Sequence, residues 1–327
     1  MNTLYNVLVI GGTGLVGKCL IKILLDKEFP FNKIVSTKSQ KTKEKLIINN
    51  KNIDLIDLDE EAFNGIDICF MCSTNEVALK WGKYAKEKCK YVIDNSSIFR
   101  LDFDVPLIIP EINKDKIFSN FISNPNCSTI QSLLVINEIK KMFTIKRIIY
   151  STYQSCSGGG KDELNELSLS YAKKCNLYSY SLCDTCISQI GEIDDSRFSN
   201  EEKKMINETK KILDDYSINI HASCIRVPVS YCHGVFIYIE TKEKVKIEDV
   251  VNLISSSKRL IYKKDNEILY YQEAYQSEKV IVGRVKKDLD NEHAFSLFCV
   301  ADNLKVGAAL NAYNIAKVLI DEDNRKY

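Results

Sequence analysis

Between an apolar run at residues 5–10 and an amphipathic segment at 15–26 the chain carries Gly11-Gly12-Thr13-Gly14-Leu15-Val16-Gly17. Strand, glycine-rich turn and helix in direct succession restrict the fold more than any other feature. The turn must reverse the chain tightly, and the helix must cross back over a sheet, which is a parallel βα unit. Val16, Leu20, Ile23 and Leu24 share one helical face. The rhythm continues with predicted strands at 33–36, 66–72 and 90–94 and a helix at 76–88, so the N-terminal part reads as a Rossmann-type parallel sheet with helices on both faces, in class α/β. In that context Gly12, Thr13, Gly14, Leu15 and Val16 are candidates to approach a dinucleotide pyrophosphate, with the helix N-terminus supplying N–H donors. An NAD-preferring site usually ends its second strand with Asp or Glu. Here the residues are Ser36-Thr37-Lys38-Ser39, hydroxyls and a cation, which suit a 2′-phosphate. The expected cofactor is NADP(H); the plainer alternative for Lys38 is a solvated polar loop.

Past residue 126 the pattern changes. A helix is expected over 128–143, strands at 145–154, 218–225, 235–240, 280–285 and 295–300, a polar helix at 200–215 and an apolar-striped helix at 302–320. The strands from 218 onward read as antiparallel, which makes the second part an α+β domain with a mixed, largely antiparallel sheet. The expected division is 1–126 against 127–302.

Cys127 stands at that boundary, in Ser123-Asn124-Pro125-Asn126-Cys127-Ser128-Thr129-Ile130-Gln131. Asn-Pro-Asn is turn chemistry and disfavours a helix before Pro125, so the thiol opens a helix, where backbone N–H groups point outward and favour thiolate. A buried structural cysteine is the bland alternative. Lysine plus arginine (45) nearly balance aspartate plus glutamate (44), so no basic excess points to nucleic acid or a membrane surface. No apolar stretch is long enough to span a bilayer, and a cytoplasmic location with twelve reduced cysteines is expected. The pairs Cys69/Cys72 and Cys183/Cys186 have zinc-like spacing. The first lies in a predicted strand where the side chains point to opposite faces, and no histidine is in ligand spacing, so no metal is expected.

Three more segments carry reactive chemistry: Ser151-Thr152-Tyr153-Gln154 running into Gly158-Gly159-Gly160, Glu201 with Lys204 at i,i+3, and Arg226-Val227-Pro228-Val229 followed by His233. Taken singly each has a structural explanation. Together with the Cys127 segment, Asn95-Ser96-Ser97 through Arg100, and Asp302-Asn303-Leu304 leading to Gly307-Ala308-Ala309, they resemble aspartate-semialdehyde dehydrogenases over nearly the whole chain.

That resemblance implies NADPH-dependent reductive dephosphorylation of L-β-aspartyl phosphate to aspartate semialdehyde, in the route to lysine, threonine, methionine and diaminopimelate. It implies Cys127 as nucleophile, His233 as acid/base and Gln154 as the residue orienting the acyl group. Arg226 would bind the α-carboxylate and Glu201 the α-ammonium, while Arg100, Asn126 and Lys204 would cradle the phosphate. Cofactor contacts are implied at Ser36, Lys38, Ser39, Ser157, Gly158 and Asn303. It also implies that residues 303–327 return to the first domain, and a homodimer or tetramer. The sequence departs from the family pattern after the second strand (Lys38-Ser39-Gln40-Lys41-Thr42) and at Gly234, where Ser is common. The alternatives are N-acetyl-γ-glutamyl-phosphate reductase, whose nucleophile usually has a Gly-Cys-Tyr-Pro setting, and a catalytically silent NADP-binding sensor.

Overall fold

A computed structural model describes residues 3–38, 45–174, 181–264 and 266–325. It separates into two compact units, one formed by the chain up to Pro125 together with the segment from Ala308, the other by Asn126–Gly307.

The first unit opens with β1 (Tyr5–Ile10), α1 (Leu15–Asp26) and β2 (Phe31–Thr37). β3 (Leu46–Ile48) and β4 (Lys51–Ile56) form a hairpin that the sequence reading did not foresee. Its two-residue turn is Asn49-Asn50, both at positive φ (51° and 59°), the backbone twist that short hairpins favour. β5 (Ile68–Met71), α2 (Asn75–Lys88), β6 (Tyr91–Asp94), the one-turn α3 (Pro110–Asn113) and β7 (Phe121–Ser123) follow. The sheet order is β3-β4-β2-β1-β5-β6-β7, parallel apart from the hairpin, as an α/β dinucleotide-binding sheet requires. β1 and β5 are almost wholly buried apolar runs, as expected for parallel strands covered on both faces.

In the second unit α4 (Cys127–Lys140) is buried around most of its circumference. β8 (Ile145–Gln154) and α5 (Gly160–Tyr171) lead to α6 (Asn200–Leu213), which starts with a full capping box between Ser199 and Glu202. β9 (Asn219–Arg226), β10 (His233–Thr241), α7 (Ile247–Ser256), β11 (Leu260–Tyr262), β12 (Val280–Lys287) and β13 (Ala294–Ala301) complete it. The six-stranded order is β11-β12-β13-β10-β8-β9. β10 runs antiparallel to β8 and β13, and β12 antiparallel to β13. One expectation is corrected here: β9 is parallel to β8. β11, a strand the sequence reading did not foresee, is parallel to β12. The long connection through α5 and α6 returns the chain to the same end of the sheet before β9 begins, as a parallel pairing needs.

The last helix, α8 (Leu310–Arg325), starts later than the apolar stripe suggests. The Asp302 carboxylate accepts the N–H groups of Leu304 and Lys305, an Asx turn that holds residues 302–304 out of a helix. A π-helical turn, Lys305–Ala309, then leads into α8. α8 belongs to the first unit, where Leu310, Ala312, Ile315, Ala316, Leu319 and Ile320 join one core cluster with Leu20 and Leu24 of α1.

Candidate active site

Within the second unit three strand ends lie in register. Arg226, the last residue of β9, pairs with Gln154, the last of β8, and Gln154 pairs with His233, the first of β10. A guanidinium, an amide and an imidazole from three distant segments are thereby set side by side by ladder hydrogen bonds alone. A Cβ at Gly158 would lie 3.0 Å from Arg226 Nη1 and 3.1 Å from His233 Nε2, so this loop backbone lies directly over both.

Cys127 occupies the first position of α4, and Asn126 caps the helix. The cap changes one expectation: the Asn126 side chain accepts from Ser128 N–H (3.0 Å) and Thr129 N–H (3.2 Å), so these two donors at the helix mouth are taken and do not point freely outward. Asn126 itself is fixed from α6, its N–H donating to Glu208 at 2.7 Å and its Nδ2 to Glu201 at 2.8 Å. Gly307 completes the seat of the nucleophile, since a Cβ there would stand 2.6 Å from Cys127 Cβ. Two side chains tie α4 to the strand ends. Gln154 Nε2 donates to Ser128 Oγ (2.8 Å) and Glu201 (3.0 Å), and Gln131, one turn beyond Cys127, donates to the His233 carbonyl (3.0 Å).

Burial alone would raise the Glu201 carboxyl. Lys204 and the donors Asn126, Lys204 and Gln154 outweigh it and hold the group down to about 2. Glu201 is therefore a firm anion, and Lys204 reaches it at 3.0 Å. His233 is pushed down to about 3, first by burial and then by the Arg226 charge, so its resting ring is neutral. Its Nδ1 accepts the Ser155 N–H at 3.0 Å, which places the ring proton on Nε2. The Ser155 hydroxyl is 3.1 Å from the same Nδ1 and can accept from it when the proton moves; that hydroxyl in turn donates to Asn303 Oδ1 at 3.3 Å.

The other sequence-predicted residues fall as follows. Asn303 is buried, and its Oδ1 also accepts from Ser157 Oγ and Cys232 N–H, so Ser157 and Asn303 back the His233 loop. Arg100 belongs to the first unit, where Nη2 donates to the Asn95 carbonyl. In that unit the glycines fit a nucleotide turn: Gly17 packs so closely that a Cβ would stand 2.4 Å from the Gly11 carbonyl oxygen, and Gly14 opens α1. Thr13 lies in the turn, and Leu15 and Val16 begin α1. Ser36 is wholly buried behind Gly12, with its hydroxyl 2.2 Å from where a Gly12 Cβ would be. Lys38 pairs with Asp57 at 3.1 Å. Ser39 lies outside the described residues. Gly234 has a packing reason, because Tyr271 Oη and Phe298 fill the space a side chain would need. Glu208 and Glu163 were missed in sequence, and Glu163 lies 2.8 Å from Arg226 Nε. The only hint of the latter was an acidic residue opening the helix after the glycine cluster.

Comparison with known proteins gives a consistent result. Residues 6–120 match the model of the semialdehyde dehydrogenase NAD binding domain, and 138–306 that of the semialdehyde dehydrogenase dimerisation domain. The chain is 34% identical to aspartate-semialdehyde dehydrogenase 2 of Vibrio cholerae, over 98% of this chain and 99% of that protein. It is 36% identical to the aspartate-semialdehyde dehydrogenase of Shewanella violacea, again over 98% and 99%. The crystal structure of aspartate semialdehyde dehydrogenase II from Vibrio cholerae, complexed with ASA, superposes with a TM-score of 0.94 at 33% identity, covering 98% of this chain and 99% of that one.

Proposed function

The chain belongs to the aspartate-semialdehyde dehydrogenase family, and on that premise we propose that it reduces L-β-aspartyl phosphate to aspartate semialdehyde with NADPH, through an acyl thioester on Cys127. It is an oxidoreductase of amino-acid biosynthesis. The observation that carries the residue assignments is the in-register row Arg226, Gln154, His233, tied to the Cys127 helix through Gln154–Ser128 and Gln131–His233.

In this reading Cys127 sulfur attacks the acyl carbon and the C–O bond to phosphate breaks, giving phosphate and a thioester. His233 takes the thiol proton as general base. When bound, the nicotinamide supplies the hydride that reduces the thioester carbon. His233 returns its proton to the resulting oxygen, then removes it as the C–S bond breaks and the aldehyde forms. Gln154 orients the acyl group, Arg226 holds the α-carboxylate, Glu201 faces the α-ammonium, and Asn126, Lys204 and Arg100 bind phosphate. In the first unit Gly12, Thr13, Gly14, Leu15 and Val16 approach the pyrophosphate, with Lys38 at the adenosine end and Ser36 packed behind Gly12 rather than against the cofactor; Ser157, Gly158 and Asn303 serve the nicotinamide end. We assign 1–126 with 303–327 to the cofactor and 127–302 to catalysis and dimerisation.

A homodimer is supported by the sheet of the second unit. One face carries Ile149 opposite Tyr238, and Phe236 opposite both Ser151 and Phe298, with these apolar side chains only half-buried in the single chain. Among the described residues no helix is long and apolar enough to cross a membrane. No disulfide joins the described cysteines, and the cytoplasm is the compartment we propose.

The direct test is phosphate-dependent NADP+ reduction by aspartate semialdehyde. Turnover is expected, with none on N-acetylglutamate semialdehyde; the reverse pattern overturns the assignment. Two variants refine it. Arg226→Lys should raise the KM for aspartate semialdehyde about tenfold or more with kcat less affected, because an ammonium cannot reproduce the planar fork. An unchanged KM would remove Arg226 from the carboxylate site. Gly12→Ala should weaken NADPH about tenfold, since the new methyl must displace Ser36 and Ile21, an overpacking cost of about 1–3 kcal/mol. Fluorescence titration of NADPH measures it.

A further inference from the structure

Gln131 lies one helical turn beyond Cys127 in α4, and residues four apart on a helix share a face. Its side chain is wholly buried. Nε2 directs its hydrogens at backbone carbonyls of two different strands, that of His233 at the start of β10 and that of Cys299 in β13, each at 3.0 Å. The two strands are paired here, with His233 opposite Ala301 and Val235 opposite Cys299. One amide therefore joins the helix that carries the thiol to the ladder that carries the imidazole.

Stability alone does not account for an amide at this position. Its Oε1 is buried with no hydrogen-bond partner among the described residues, which costs free energy. Neighbouring positions Ile130, Leu133, Leu134, Val135 and Ile136 fill the interior with apolar side chains. A methionine would occupy nearly the same volume without a stranded oxygen. What the amide supplies and a methionine cannot is direction. Two N–H bonds to fixed carbonyls specify one rotation and one depth of the helix against the strands, whereas apolar packing tolerates small slides.

We propose that Gln131 is a positioning residue for the reaction: through the carbonyls of His233 and Cys299 it sets the place of the Cys127 sulfur relative to the His233 ring. The inference rests on the reading of Cys127 as nucleophile and His233 as acid/base. Proton transfer between them needs hydrogen-bond reach, and attack needs the sulfur at contact distance from the acyl carbon, so small displacements are costly. The bonds of Asn126 to Glu208 and Glu201, and of Gln154 to Ser128, hold the mouth of α4. Gln131 is the next fixed point along the helix, and the one bonded to the acid/base residue itself.

The test compares Gln131→Met with wild type in phosphate-dependent oxidation of aspartate semialdehyde by the intact protein. kcat should fall on the order of tenfold to a hundredfold, with the KM for aspartate semialdehyde, phosphate and NADP+ within about twofold of wild type. The melting temperature should stay close to wild type. The deciding measurement repeats the substitution in a His233→Ala background. A residue that acts by aligning His233 with Cys127 should there cost less than about threefold further, because the alignment it serves is already lost. The same fold-loss in both backgrounds, or an unchanged kcat in the single variant, overturns the proposal and leaves Gln131 as a core residue. Gln131→Glu keeps the shape and serves if the methionine variant does not fold. Only its protonated carboxyl can donate to a carbonyl, so its kcat relative to wild type should fall as pH rises. A ratio independent of pH overturns the proposal. Wild-type protein inert toward aspartate semialdehyde would instead overturn the function proposed above.

Discussion

Cys127→Ser is expected to lose on the order of 10⁴-fold in kcat, the scale on which removal of a covalent nucleophile leaves only positioning and binding. The hydroxyl cannot stand in for the thiol, because at neutral pH it has no appreciable alkoxide, whereas a thiol has accessible thiolate. The substitution itself is mild. The side chain is nearly isosteric, Asn126 still caps α4 through Ser128 and Thr129, and Gly307 still leaves room at Cβ. NADPH affinity and melting temperature should therefore stay close to wild type. A second readout separates chemistry from binding. Wild-type protein mixed with aspartyl phosphate and no nucleotide should gain the mass of an aspartyl group on the peptide containing residue 127, and the serine variant should show no thioester. Full activity in Cys127→Ser, or an acyl group on another cysteine, would remove the mechanism proposed for this site.

His233→Ala is expected to lower kcat by about 10²–10⁴-fold, the usual contribution of a positioned acid/base. The same residue leaves a signature in stability. Its folded pKa lies near 3, below the ordinary histidine value of 6.5, because of burial and then the Arg226 charge. Between those two values the unfolded chain binds more protons at this position than the folded one. Stability must then rise with pH across that window and fall on acidification from about 6.5 toward 3. The alanine variant lacks this contribution, so its melting temperature should fall less between pH 7 and pH 5 than that of the wild type. Parallel pH dependence in the two proteins would contradict a neutral, buried imidazole.

The sequence was most readable where one local rule sufficed. Asn124-Pro125-Asn126 marked the start of α4, and the strand expected over 145–154 coincides with β8. Strand direction was not readable, because the pattern of β9 is the same whether it lies parallel or antiparallel to β8; the path through α5 and α6 decides it. The Asp302 turn was hidden by an apolar stripe that continues across it. The reactive residue types were legible one by one, but their adjacency was not. Nothing in the spacing of positions 154, 226 and 233 says that three strand termini lie in the same row, nor that Glu163 reaches Arg226 across more than sixty residues.

The first unit closes its core with α8, which carries Leu310, Ile315, Ala316, Leu319 and Ile320 against α1. On the ribosome, therefore, the earliest-made part of the chain is the last to be finished. It emerges with one flank of its sheet and helices bare, and stays so while roughly two hundred further residues are made, on the order of 10–40 s at ordinary elongation rates. The segment between, continuous in sequence, can complete itself first. A nascent chain stalled before residue 308 should for that reason expose sticky surface in its oldest portion and engage chaperones there.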